Sequence, residues 1–292
     1  MAKTIVLNST PSIPKLYLRA LFARKSRQAP PQERELGRVS LSALRPDSRS
    51  LNTYRDVCGF SSQNTLPVSF PFVLAAPLQL ELLVSDAFPF PILGIVHTKN
   101  SVTQYRRIRE GEPLDIECIL QGPRPALRGL EFDLHTRISV GSELVWECVC
   151  TLLRRERAER RRRGRGARNG TRHSADFTPD ATVDWNIPAD TGRRYAAASG
   201  DRNPIHMSAL TAKLFGFPRA IAHGMWTKAH CLAELDPVLP EGAFTVDVDF
   251  KLPILLPAEV QFQYCATEAG IEFAVKDRAG KRPHLLGGVT AI

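Results

Sequence analysis

No stretch of this 292-residue chain is apolar enough, for long enough, to cross a membrane as a helix. The most apolar region, Leu66 to Val96, is broken by prolines and by Gln79, Glu81 and Asp86, so it reads as buried core. No cleavable leader is expected either. Residues Met1 to Leu21 carry Pro11 and Pro14 and lack a compact apolar block followed by a small-residue cleavage site. A cytoplasmic protein with no membrane span is therefore expected. Metal and redox spacings are also lacking. The six cysteines, Cys58, Cys118, Cys148, Cys150, Cys231 and Cys265, contain no C-x-x-C pair, and the seven histidines contain no H-x-x-x-H pair. No metal site and no cofactor are expected. Cys148 and Cys150 alternate with Val149, as two small apolar side chains on one strand face would.

Aromatic residues are absent from the one strongly charged segment. The net charge is +9, and most of the excess sits in the arginine-rich run 154–172. With no rings between the arginines there is no stacking platform for a single strand, and no nucleic-acid partner is expected. Gly164, Gly166 and Gly170 break any helix there, and no apolar stripe is present. Residues 154–173 read as a linker between an N-terminal unit, 1–153, and a C-terminal unit, 174–292. The arginines have a functional reading too, attraction of a phosphate-bearing or acidic partner, beside the plainer one of a solvated connection.

What is present is a chain with 43% hydrophobic residues, enough for a packed core. In the C-terminal unit Asp190 is placed to cap a short helix through Ala198 that ends at Ser199-Gly200. Ser208 is placed to cap a second through Phe215, stopped by Gly216 and Pro218. A third starts near His223 and carries Met225, Trp226, Ala229, Leu232, Ala233 and Leu235, apolar on much of its circumference and so largely buried. Strands follow: Phe244 to Lys251 and Glu259 to Tyr264 alternate with a period of two, and Ile271 to Asp277 and Leu285 to Ile292 are further candidates. A buried helix followed by antiparallel strands is an α+β arrangement in which a sheet wraps one helix. The N-terminal unit repeats the order faintly. Tyr54 to Gly59 corresponds to Tyr195 to Gly200, Phe70 to Val84 stands in the place of the buried helix, and strands are expected at 92–106, 114–120, 131–140 and 144–153.

The chemistry concentrates between Tyr195 and His206, in the sequence Y-A-A-A-S-G-D-R-N-P-I-H. Asp201 stands five residues before His206, and Pro204 forbids helix interior between them. Both groups are expected on a turn where their side chains converge. Seventeen residues on, Ala222-His223-Gly224-Met225 opens a helix whose first N–H groups lack acceptors and could hold an oxyanion. The corresponding N-terminal segment, Phe60 to Leu66, has neither Asp nor His, which predicts a duplicated fold with one chemically empty copy.

Gly200-Asp201-Arg202-Asn203-Pro204-Ile205-His206, with the later His223-Gly224, resembles the MaoC-like (R)-specific enoyl-thioester hydratases and 3-hydroxyacyl-thioester dehydratases. The likeness is sharp over 195–235, fair to Ile292 and weak before the linker. It implies a double hot-dog fold, two antiparallel sheets each wrapping a central helix, with the active site in the second copy. The implied reaction is reversible addition of water to a trans-2-enoyl thioester to give a (3R)-3-hydroxyacyl thioester, in fatty-acid metabolism. The implied substrate is an acyl-coenzyme A or acyl carrier protein thioester. Asp201 and His206 would hold and activate the water, and the Gly224 N–H would serve the thioester oxygen. Asn203 would fix the loop or order the water, and Ser199 and Gly200 would shape the turn. His223 either donates a hydrogen bond at the site or caps the helix, and the structural role is favoured. Trp226 and Phe215 to Phe217 read as core. A monomer or homodimer is expected, since two copies in one chain already supply a dimer-like unit. The rival activities are a hot-dog thioesterase, disfavoured because the helix after Gly224 carries only Glu234 near its end, and a non-catalytic acyl-binding or scaffold subunit.

Overall fold

The computed structural model describes residues 2–156 and 173–292. In chain order these form β1 (Lys3–Leu7), α1 (Ile13–Phe22), β2 (Arg34–Leu44), α2 (Ser48–Cys58), α3 (Phe70–Val84), β3 (Ile95–Gln104), β4 (Leu114–Ala126), β5 (Gly129–Val140) and β6 (Glu143–Arg155). After the arginine run come β7 (Ala181–Ile187), α4 (Thr191–Ser199), α5 (Pro204–Met207), α6 (Ala209–Lys213), α7 (Gly224–Leu235), β8 (Phe244–Phe250), β9 (Ala258–Thr267), β10 (Gly270–Asp277) and β11 (Pro283–Ala291). The linker expected at 154–173 falls almost wholly on 157–172, outside the described residues.

Two units separate by packing, and they do not coincide with the two halves of the chain. Among the described residues, the first comprises 2–45, 71–103 and 111–156; the second comprises 46–70, 104–110 and 173–292. Residues 46–70 and 104–110 are thus built into the unit that holds the C-terminal sheet. Sequence periodicity misses this because it reports which face of an element is apolar, not which surface covers it.

The first unit carries a sheet in the order β1-β2-β4-β5-β6-β3. β1 runs parallel to β2, and β2, β4, β5 and β6 pair antiparallel in sequence. α3 is apolar nearly all round, with Val73, Ala75, Leu78 and Leu82 buried. Its one buried amide, Gln79, donates to the Thr136 hydroxyl of β5 at 2.9 Å, which seats the helix on the sheet. The second unit carries β8-β11-β10-β9-β7, and the pairs β8/β11, β11/β10, β10/β9 and β9/β7 are antiparallel. Its central helix is α7, with eight of twelve residues buried, Met225, Trp226 and Leu232 among them. The Lys228 ammonium donates to the Val246 carbonyl of β8 at 3.3 Å, so even the lysine of that helix is turned inward.

Several boundaries differ from expectation for local reasons. β7 was not expected, although Ala181, Val183, Trp185 and Ile187 alternate with the exposed Thr182, Asp184 and Asn186 in the strand period of two. Pro204 does not keep 201–206 wholly non-helical. It sits at the first position of the one-turn helix α5, where its missing N–H costs nothing. α6 stops at Lys213, short of Phe215, and Phe215 is exposed rather than core. Asp190 precedes α4 without a side-chain capping bond.

Candidate active site

The segment from Ser199 to His206 is folded by a relay of its own side chains. Gly200 ends α4 in the left-handed region at φ 75°, and its N–H bonds the Ala196 carbonyl. A Cβ would be strained at that φ, so this exit favours glycine. The Ser199 hydroxyl donates to Tyr195 O at 2.8 Å and accepts from the Asp201 N–H at 3.2 Å. Asp201 Oδ1 accepts from the Asn203 N–H at 3.1 Å, and Asn203 Oδ1 accepts from the Ile205 N–H at 3.4 Å. Each polar side chain thus closes a turn on the amide two residues ahead.

The relay delivers His206 to a buried position on α5, where its Nδ1–H donates to Ile221 O at 2.8 Å. That bond selects the tautomer and leaves Nε2 as the basic nitrogen. Burial lowers the His206 pKa below its ordinary value, against the opposing charge of Asp201 and the Ile221 hydrogen bond. The neutral, proton-accepting form is therefore the resting one at neutral pH. Asp201 keeps its side chain 46% exposed, with Oδ2 3.8 Å from His223 Nε2.

His223 is buried beside these groups. It precedes α7 but makes no side-chain cap. Its Nε2–H instead donates to the Asp201 carbonyl at 3.0 Å. Its ring lies on the His206 ring, centroids 3.6 Å apart and planes 26° apart. Burial first, and then His206, push its pKa down to about 3, so it stays neutral. With Nε2 protonated, Nδ1 is a bare acceptor, buried and without a partner among the described residues. His223 thus acts as a neutral plate that fixes the rear of the His206 imidazole and ties it to the Asp201 backbone.

Gly224 follows immediately, as the first residue of α7. Its N–H has no intrahelical acceptor, and the helix dipole places partial positive charge there. A Cβ on Gly224 would stand 2.9 Å from the Phe250 ring, so β8 packs directly against the bare backbone. A second glycine, overlooked in the sequence reading, is Gly192 in the first turn of α4. A Cβ there would meet the His206 carbonyl at 2.2 Å. Its absence lets α5 lie against α4 and sets the height of His206. A glycine inside a helical pattern was the available signal.

Asp201, His206 and His223 also form a donor set that suits a cation by type, with one ligand atom from each lying within 4.8 Å of the others. His206 Nδ1 and His223 Nε2 are committed to carbonyls, and the stacked rings lie 26° from parallel. A cleft of about 950 Å³ is lined by residues such as Asn186, Arg219, Leu252, Ile254, Arg282 and His284, and not by Asp201, His206 or His223 themselves. No helix among the described residues is long and apolar enough to cross a membrane.

Residues 169–282 match the family model of the MaoC like domain. The chain is 34% identical over 254 residues, 87% of its own length and 89% of the relative's, to 3-hydroxyacyl-thioester dehydratase X of Mycobacterium tuberculosis. The crystal structure of HtdX from that organism superposes with a TM-score of 0.74 at 32% identity, over 87% of this chain and 100% of the other. A MaoC-like dehydratase from Phytophthora capsici superposes with a TM-score of 0.69 over 87% of this chain and 95% of the other. At 17% identity that second likeness concerns the fold alone.

Proposed function

This chain belongs to the MaoC-like dehydratase family, with its α+β double hot-dog fold, and on that premise we propose how its residues work. It is a hydro-lyase of fatty-acid metabolism that interconverts trans-2-enoyl and (3R)-3-hydroxyacyl thioesters. Asp201, His206 and the Gly224 N–H are its reacting groups, and Ser199, Gly200, Asn203 and His223 hold them. The single observation that carries this reading is the state of His206. It is buried, bonded through Nδ1 to Ile221 O and stacked on His223, with one ring nitrogen within 4.8 Å of a carboxylate oxygen of Asp201, and burial holds its pKa below the ordinary value.

In the hydration direction a water held by Asp201 and His206 Nε2 attacks C3. The new bond is O–C3, the proton leaving water goes to the acid–base pair, and the C2=C3 electrons move onto the thioester carbonyl. The Gly224 N–H, at the positive end of α7, binds that oxygen as charge grows on it. C2 then takes a proton from the same pair, so the sum is H and OH added across the double bond. Dehydration is the reverse path. General acid–base assistance of this kind is worth about 10²–10⁴-fold in rate, and one oxyanion donor contributes about 2.7–4 kcal/mol.

The thioester is carried by coenzyme A or by acyl carrier protein. The chain is read as an empty N-terminal repeat, 1–153, and an active C-terminal repeat, 174–292, acting in the cytoplasm as a monomer or homodimer. The direct test is incubation with a short trans-2-enoyl-coenzyme A. Loss of the conjugated enoyl absorbance with no free thiol supports the reading. Thiol release would mean a thioesterase, and neither change would mean a binding subunit.

A further inference from the structure

Helix α1 shows the solvent an apolar face that no part of the proposed chemistry uses. Of its ten residues only Leu16 is buried. Leu18, Leu21 and Phe22 are 57%, 71% and 78% exposed. Their spacing of three and four puts them on one side of the helix. Scattered exposed apolar residues are ordinary, but three on one face of a short helix form a patch.

The patch is held in place. Just past the helix, the Lys25 ammonium donates to the carbonyls of Leu83, Val84, Ser85 and Phe88, at and beyond the C-terminal end of α3, at 2.6–3.0 Å. The Arg27 N–H donates to Pro89 O at 2.9 Å. Arg19 pairs with Glu81 of α3 at 2.6 Å. Three ties to one end of α3 fix which side of α1 points outward.

The segment that carries the patch has charge of one sign, the nearby acids Glu81 and Asp86 belonging to α3 and the turn after it. Residues 1–32 contain Lys3, Lys15, Arg19, Arg24, Lys25 and Arg27 and no Asp or Glu, the first acid being Glu33. Lys15 and Arg24 are exposed at either end of the apolar triad. An apolar face flanked by cations, on a helix of ten residues, suits lying flat in the headgroup layer of an anionic bilayer, and is far too short to span one.

We propose that α1 is a peripheral docking element for an anionic lipid surface. Leu18, Leu21 and Phe22 enter the headgroup–acyl boundary, and Lys15 and Arg24 meet the lipid phosphates. The charge complementarity selects this occupant over a second copy of the chain, whose own α1 would bring cations against cations.

The test is co-sedimentation of the full chain with vesicles of phosphatidylglycerol and phosphatidylcholine, against vesicles of phosphatidylcholine alone. The expected result is binding to the anionic vesicles that weakens as salt is raised, with at least a tenfold weaker partition on neutral ones. The double variant Leu18→Ser/Phe22→Ser should lose at least tenfold in partition, and Lys15→Glu/Arg24→Glu a similar amount. All of these residues are exposed, so melting temperature and turnover of a short enoyl-coenzyme A should stay at the parent level. Equal vesicle binding by the variants, or no partition by the parent protein, overturns the proposal. So does a dimer in sedimentation that only the Leu18/Phe22 variant loses, in the absence of vesicle binding, because the occupant is then a second copy. Since the enoyl assay is read separately, failure of the lipid test leaves the catalytic reading standing, and the reverse also holds.

Discussion

Two turns in this molecule begin alike and end differently. α2 and α4 both close on a left-handed glycine, Gly59 at φ 88° and Gly200 at φ 75°, whose N–H returns to the carbonyl four residues back. Tyr54 and Tyr195, at matching positions, are both buried, with ring centroids 6.1 Å apart. Past the glycine the designs diverge. After Gly200 one oxygen of Asp201 and that of Asn203 are spent on the local backbone, and the loop presents a carboxylate and an imidazole. After Gly59 the space is closed by an ion pair. Arg55, buried on α2, meets Glu110 at 2.6 Å and Thr65 O at 2.8 Å, and Glu110 also accepts from the Asn64 N–H at 3.1 Å. One scaffold therefore supports either a reactive loop or a braced one, and the choice lies in a handful of residues after the helix.

The largest expected effect falls on the reactive turn. Asp201→Asn and His206→Gln should each lose about 10²–10⁴-fold in hydration rate while the protein stays folded, measured by enoyl absorbance and by circular dichroism. Near-normal turnover in either variant would remove the distinction between the two turns. Gly192→Ala comes next. Its Cβ would overlap the His206 carbonyl, so α5 must shift, and a displacement of ~1 Å at a catalytic group costs about 10²-fold. The check is kcat together with its pH profile. A loss of stability with kcat intact would mean the glycine serves packing alone.

On the braced turn the sign reverses. Glu110→Gln should leave kcat unchanged and cost about 1–3 kcal/mol of stability, because Arg55 keeps a buried charge with a weaker partner. Urea denaturation measures it, and a fall in turnover at constant stability would contradict the assignment of this loop as structural.

The smallest effect is in the pH dependence. Burial holds the His206 pKa below its ordinary value, so the proton-accepting form persists as pH falls through ~6.5, and the rate drops only at the lower folded value. For stability, the unfolded chain takes up protons on His206 and His223 below ~6.5, while folded His223 resists until about 3. Stability therefore declines as pH falls across that window. His223→Gln removes one titration and should flatten the decline, as read from melting temperature between pH 7 and 4. An unchanged slope would show that His223 is not the buried neutral group described.

The sequence exposed those features that have a local cause. The Gly200 exit, the Asp201 and Asn203 turns, the Ser208 cap and the two-residue period of Phe244 to Phe250 each follow from a residue and its near neighbours. Features that depend on a distant partner stayed hidden. Gly192 stands out locally only as a glycine inside a helical pattern, and its reason is a carbonyl fourteen positions later; His223 matters because its ring is stacked on His206. The same holds for α2. Its sequence suggests a repeat of α4, but its place beside α7 rests on the Trp226 indole N–H donating to Val57 O at 3.0 Å and on the bond between His230 and Cys58 O at 2.8 Å.

The most direct test is a double-mutant cycle on hydration of a short enoyl-coenzyme A. If Asp201 and His206 grip one water, removing either destroys that grip, and Asp201→Asn/His206→Gln should be no more than about tenfold slower than the worse single variant. If the two losses multiply in full, the residues act on separate groups, and the shared-water account is wrong.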